Sequence, residues 1–166
     1  MTIDLVGFNS LTRRIIGCAI EVHRHLGPGL LESSYQECLA RELALRRLSF
    51  RAQQSAPVIY KGVRLEASYR LDLIVENVVV VEVKSVTSLN AVHQAQILTY
   101  MRIAECPVGL LINFNVPRLI DGVKRLVNPR GQRTTEVTEG TESPQRSRGA
   151  EDNGARESEK GDDLAS

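Results

Sequence analysis

YRLDLIVENVVVVEVK, residues 69–84, reads as two strands rich in Val, Leu and Ile, joined by a tight connection at Glu76-Asn77. Three charges, Asp72, Glu82 and Lys84, lie in this apolar setting. A carboxylate or ammonium on a core strand is costly unless it is paired, hydrogen-bonded or bound to a metal, so the three together point to a polar site rather than a solvated face. Side chains alternate along a strand, which places Glu82 and Lys84 on one face and Val81 and Val83 on the other. Register then decides whether Asp72 joins them. A two-residue turn would set Asp72 opposite Val81, on the wrong face. A three-residue connection or a bulge sets it opposite Glu82, and this second arrangement is the expected one.

With Asp72 beside Glu82, two hard oxygen ligands converge, a set suited to Mg²⁺ or Mn²⁺. Lys84 next to them would orient or deprotonate a water on the ion, or steady charge developing on a phosphate. The alternative is an ion-pair cluster with a purely structural role. It is the weaker reading, because a buried network of this kind is costly without a function to keep it.

The 166 residues, 42% hydrophobic, suffice for one domain with a core. Aromatic residues make up only 4% and Trp is absent, which argues against a surface that binds single strands mainly by base stacking. The net charge of +1 conceals an asymmetry: residues 1–129 hold 15 Lys/Arg against 11 Asp/Glu, and the remainder 6 against 9. A mildly basic body suits a polyanionic partner, well short of the density of a DNA-coating protein. Cys18, Cys38 and Cys106 are odd in number and far apart, with neither a disulfide framework nor a CxxC pattern. Each falls in an apolar-periodic stretch and reads as a small buried hydrophobe in a reducing compartment. Apolar runs are too short to span a bilayer, and the first residues lack the form of a signal peptide, so a soluble cytoplasmic protein without membrane contact is expected.

Around the central pair, NSLTRRIIGCAIEVHRH (9–25) reads as a helix capped by Asn9 or Ser10, with Leu11, Ile15, Cys18, Ala19 and Val22 on its core face. His23 and His25, about 200° apart on a helix, do not suit a shared metal and read as cations near a helix C-terminus. Gly27-Pro28-Gly29 breaks this helix, and a second one follows through LLESSYQECLARELALRRL (30–48). Its expected stripe is Leu31, Tyr35, Cys38, Leu39, Glu42 or Leu43, and Leu45. Glu32 in its first turn is explained by the helix dipole alone, the reading the pattern by itself supports; the functional alternative is a side chain aimed at the strand site. Residues 50–65 read as a hairpin turning at Lys61-Gly62 and leading into the central pair, with Pro57 marking an edge or irregular strand. NAVHQAQILTYMRIAE (90–105) is a third helix, with Val92, Ala95, Ile97 or Leu98, Met101 and Ile103 as packing candidates. In it Gln96 and Tyr100 are i,i+4 neighbours and His93 is a partly exposed surface residue. VGLLINF (108–114) is a buried strand, parallel to VVVVEVK through the intervening helix, and 122–127 a last short one. Beyond Asn128 the chain turns to Thr, Glu, Ser, Arg, Gly and Asp, too polar to bury a core, so 129–166 is expected to be a disordered tail outside a folded domain at 1–128.

Gly29-Leu30-Leu31-Glu32-Ser33-Ser34-Tyr35 resembles the GxxExxY signature, and the flanking LGPGLLE, QILTYM and GLLINFNV segments are similar to that family as well. The resemblance covers roughly residues 8–128 and leads to the PD-(D/E)XK nuclease superfamily, whose site is an Asp on one strand and (Asp/Glu)-x-Lys on the next. Asp72 and Glu82-Val83-Lys84 match that pattern, though Leu71 stands where the family's Pro would be.

The resemblance implies an α/β (α+β) restriction-endonuclease-like core, a central mixed sheet flanked by helices. It implies catalytic residues Asp72, Glu82 and Lys84, an Mg²⁺ or Mn²⁺ site of Glu32, Asp72 and Glu82, and substrate positioning by Gln96 and Tyr100 in a QxxxY element. Gly29, Glu32 and Tyr35 are the signature positions. The implied activity is hydrolysis of phosphodiester bonds in nucleic acid, most naturally DNA, by the chain alone, as a homodimer or within a larger complex. The rival is a nucleic-acid- or protein-binding module that keeps the fold without turnover.

Overall fold

The computed structural model describes residues 5–128, apart from the side chains of residues 5–8 and 66–68. The chain divides into two units, Met1–Arg133 and Thr134–Ser166. The tail expected over 129–166 lies outside the described residues.

Helices α1 (Leu5–Leu26) and α2 (Glu32–Leu45) come first, then strands β1 (Phe50–Tyr60), β2 (Val63–Val75) and β3 (Val79–Lys84). Helix α3 (Ala91–Ile103), β4 (Val108–Asn113), a short 3₁₀ turn (Leu119–Gly122) and β5 (Val123–Val127) complete the fold. The strands form one sheet in the order β1-β2-β3-β4-β5. All neighbours are antiparallel except β3 and β4, which the α3 crossover makes parallel. Among the described residues no helix is long and apolar enough to cross a membrane.

One core lies between the sheet and α1/α2, built from Ile15, Cys18 and Ala19, Tyr35, Leu39 and Leu43, and the strand residues Val79, Val81, Val83, Leu110 and Ile112. The other lies under α3, where Ile97, Tyr100 and Met101 meet Leu71, Ile74, Val80 and Leu111. Gly109 lets α3 come close to β4: a Cβ there would stand 2.6 Å from Met101 Sδ. Pro57 falls on the edge strand, and the pairing slips between Pro57 and Ile59.

Several expectations need correction. Helix α1 begins at Leu5, so neither Asn9 nor Ser10 caps it; Asn9 instead offers its carbonyl to the Thr12 hydroxyl at 3.1 Å. Helix α2 begins only at Glu32, which leaves Leu31 outside it as the N-cap and 76% exposed. Leu45 and Val92 also face out, Leu45 as the last residue of α2 and Val92 in the first turn of α3. His93 has a definite task. Asn90 Oδ1 accepts from the His93 N–H at 3.1 Å while His93 Nδ1 accepts from the Asn90 N–H at 3.2 Å, a reciprocal cap that starts α3.

Candidate active site

The β2–β3 connection has three residues. Glu76 and Asn77 take φ of 51° and 55°, the Val78 N–H donates to the Val75 carbonyl at 3.0 Å, and pairing resumes at Val75↔Val79. Glu76 is secured from outside the turn: its N–H donates to the Ser49 carbonyl and its carboxylate accepts from the Ser49 N–H, each at 2.8 Å. Continued along the strands, this register sets Asp72 level with Glu82, the arrangement the longer connection requires.

The ladder does not continue. It ends at Leu73↔Val81, while β2 goes on pairing with β1 and β3 goes on pairing with β4 as far as Lys84↔Asn113. The sheet therefore forks, and the Asp72 carboxylate fills the crotch, its Oδ2 accepting from the Val83 N–H at 2.9 Å. Side-chain alternation slips at the same level. Leu73 and Val75 pack toward α1/α2 and Ile74 toward α3, but Leu71, three residues before Ile74, packs toward α3 as well. Opposite this slip, Gln53 on β1 holds a left-handed φ of 52°.

Glu82 and Lys84 occupy the β3 arm. Glu82 is only 2% exposed; Lys84 Nζ donates to its Oε1 at 2.7 Å, and its buried Oε2 has no hydrogen-bond partner among the described residues. Burial, reinforced by the neighbouring Asp72 charge and opposed by Lys84, pushes the Glu82 carboxyl up to about 7. Burial likewise raises Asp72, against the pull of the Val83 N–H and of Lys84. Burial alone would lower Lys84, but its hydrogen bond to Glu82 and the charges of Glu82, Glu32 and Asp72 outweigh it, so the ammonium is held charged.

Helix α2 delivers Glu32 to the end of β3, where its Oε1 accepts from the Ser85 N–H at 3.1 Å and Ser85 Oγ donates to the Leu30 carbonyl at 2.6 Å. The helix-dipole reading is thus incomplete: the carboxylate also ties the start of α2 to the strand that carries Glu82. The other signature residues serve this placement. Gly29 has φ of 100°, a conformation that favours glycine, and the buried Tyr35 hydroxyl donates to the Gly27 carbonyl at 2.6 Å and accepts from the Leu30 N–H at 3.1 Å. The Tyr35 ring stacks on Phe114 with centroids 4.4 Å apart.

Glu32 and Asp72 line a cleft of about 450 Å³ together with Gln36, Gln53 and Arg70; Glu82 and Lys84 lie outside its lining. Gln96 and Tyr100 are joined to each other, Nε2 to hydroxyl at 2.8 Å, with Tyr69 edge-on to Tyr100 at 5.7 Å. Among the described residues neither hydrogen-bonds to the carboxylates. His23 and His25 bond separately, to the Val116 and Glu21 carbonyls.

Three contributors escape a reading of the sequence. Gln36 lies one helical turn after Glu32 on the cleft side of α2. Ser85 receives Glu32. Asn113, 2% exposed, clamps the loop after Lys84, accepting from the Val86 and Asn115 N–H groups and donating to the Val86 carbonyl. Of these only Asn113 leaves a trace in the sequence, as an amide in the otherwise apolar run VGLLINF.

The model of the PD-(D/E)XK nuclease superfamily matches residues 9–126, an interval containing every element from the body of α1 to β5. The chain belongs to the PD-(D/E)XK nuclease superfamily. No curated protein and no solved structure matches it. Members of the superfamily generally use divalent metal ions, and membership implies nucleic-acid binding in general terms. Among the described residues no three His, Cys, Asp or Glu side chains stand together at ligand spacing: Asp72 faces the Val83 N–H, Glu32 the Ser85 N–H and Glu82 the Lys84 ammonium. The donor chemistry nevertheless fits a hard cation. All three groups are carboxylates, and the buried Glu82 Oε2, in the field of Asp72, has no hydrogen-bond partner among the described residues, Lys84 being engaged with Oε1.

Proposed function

We propose that this superfamily member is a metal-dependent phosphodiester hydrolase acting on DNA. The observation that carries the reading is the unpartnered oxygen of a buried Glu82 beside Asp72 and Lys84, where the sheet forks. Asp72 and Glu82, with Glu32 from α2, would hold Mg²⁺ or Mn²⁺. Such an ion supplies Lewis acidity toward the phosphoryl oxygen and the attacking water. Lys84, kept cationic by Glu82, would orient the water and steady negative charge gathering on the phosphate. Gln96 and Tyr100 would place the DNA strand, the Tyr100 hydroxyl accepting from Gln96 and offering its own proton to a backbone oxygen of the DNA.

The test is a titration of Mg²⁺ and Mn²⁺ against plasmid, linear and single-stranded DNA with wild type, Asp72→Ala and Lys84→Ala. Cleavage that requires metal and disappears in both variants, while DNA binding remains, is the expected result. A non-catalytic binding module is the second reading, favoured by the way each carboxylate is engaged by a protein donor rather than turned toward the others. DNA binding by wild type without cleavage under either metal would establish it and end the hydrolytic one.

A further inference from the structure

Beyond the fork, β2 pairs with no strand but β1 among the described residues. It pairs with β3 only at Leu73, Ile74 and Val75, whereas its pairing with β1 runs out to Tyr60↔Val63. The two strands thus form a two-stranded ribbon leaving the sheet at the level of Asp72. The base of the ribbon packs on α3 through Ala56, Tyr69 and Leu71. Its tip exposes Ile59, Tyr60, Val63 and Leu65, each at 40–70%. Solvated hairpins of this kind are marginal alone, and apolar side chains clustered at such a tip call for a partner. The tip sequence PVIYKGVRL, residues 57–65, carries two cations, Lys61 and Arg64, and no carboxylate. Lys61 Nζ lies 5.4 Å from the Tyr60 ring centroid, so charge and apolar surface are presented together.

We infer that this ribbon is a duplex-gripping arm, which lays its tip into a groove of double-stranded DNA about one helical turn away from the phosphate held at the fork. The inference rests on the nuclease reading above and names its substrate as duplex. Two features favour DNA over a second copy of the chain. A two-fold contact between tips would bring Lys61 and Arg64 of one copy against the same cations of the other, whereas phosphates neutralise them and the thymine methyls of the major groove accept apolar contacts. The dimensions agree as well: eleven or so residues from Asp72 to Lys61, at about 3.3 Å each, span roughly one turn of B-DNA, whose major groove admits a two-stranded ribbon. The deep, narrow major groove of A-form RNA does not.

The experiment uses the full chain in EDTA, where a metal-dependent cleavage is silent, and measures binding to DNA duplexes of 8, 20 and 30 base pairs, to single-stranded DNA and to duplex RNA across a salt series. The variants are Lys61→Gln/Arg64→Gln and, separately, Ile59→Thr/Val63→Thr. All four positions are exposed, and circular dichroism checks their folding. Wild type should gain affinity from the 8- to the 20-base-pair duplex and prefer duplex DNA to the other two. The charge variant should lose about tenfold on the longer duplexes, lower the slope of log K against log salt by about 2, and bind the shortest duplex as wild type does. The apolar variant should lose the same length-dependent gain with the slope unchanged. Wild-type affinity and slope in both variants, with wild type still binding duplex, would overturn the arm and leave the nuclease reading intact. No binding of wild type to any nucleic acid would overturn both. A wild-type dimer that the apolar variant dissolves, seen by sedimentation, would assign the tip to a second copy and overturn the inference.

Discussion

Glu82 is where burial and charge conflict most directly, and the conflict makes a measurable prediction for the metal-free protein. Its folded-state carboxyl holds a proton up to about pH 7, while in the unfolded chain it releases it near its ordinary value of 4.5. Between those values the folded state binds more protons, so stability should fall as pH rises through that window, by roughly 2–4 kcal/mol. Asp72, also raised, adds to the fall with the same sign. Urea denaturation in EDTA at pH 5 and pH 8 should show the loss, and Glu82→Gln should remove most of it. A wild-type profile flat across the window would mean the carboxylate is better solvated than its 2% exposure implies. Tyr35 gives a second residue-level expectation. Tyr35→Phe keeps the Phe114 stack but strands the Gly27 carbonyl and the Leu30 N–H, at a cost of about 1–3 kcal/mol, read as a lower denaturation midpoint. At this scale the sequence was informative wherever a charge interrupts an apolar run, as at Asp72, Glu82 and Lys84. It was silent on Gln36 and Ser85, because polar residues on a helix or in a loop look alike until the fold shows what they face.

Among the elements, close approach is tightest at two glycines. At Gly109 an added methyl would meet Met101 Sδ and, at 3.0 Å, Ile97 Cδ1, both ends of side chains that can give. At Gly122 it would meet the Asn113 carbonyl oxygen, which is backbone and cannot. Gly109→Ala should therefore cost about 1–3 kcal/mol, typical of overpacking, and Gly122→Ala more, with thermal denaturation ranking the two. The opposite error, a void, is expected at Leu39, fully buried between α2 and the sheet; Leu39→Ala should cost about 2–5 kcal/mol. The strands and turns were legible because Lys61-Gly62 and Pro57 punctuate them, and the crossover because a helical pattern separates two apolar strands. Helix ends were less so. Periodicity continues through Leu31, Leu45 and Val92, although the helices stop covering the sheet before or at those positions. The fork itself could not be read, since it depends on where two ladders part.

For the whole molecule, a divalent ion that binds only the folded state should stabilise it by mass action, by about 2.7 kcal/mol at one hundred times its dissociation constant. An ion held by Glu82 as proposed would need that carboxyl deprotonated, so the gain with Mn²⁺ should grow as pH rises through about 7, opposite in sign to the metal-free trend. Thermal denaturation with and without Mn²⁺ at pH 6 and pH 8 measures it, and Asp72→Asn should abolish the difference. Equal stabilisation of that variant would place the ion elsewhere. The mixed sheet with helices on both faces was legible as a whole, because the residues that carry the superfamily resemblance lie in order along one chain.

The three-residue joint between β2 and β3 governs more than the turn it makes. Val78, Val79, Val80 and Val81 are the same residue four times over, so a slip by one position would exchange valine for valine and give up little packing there. Glu82 and Lys84 are another matter, since the same slip would drive both into the apolar layer beneath α1 and α2. Oily patterning alone thus leaves this strand free to choose between two frames, and the choice rests on loop length and on the Ser49–Glu76 latch. Breaking that latch with Glu76→Ala should loosen the frame, giving a protein whose sheet still assembles while Asp72 and Glu82 no longer stand level.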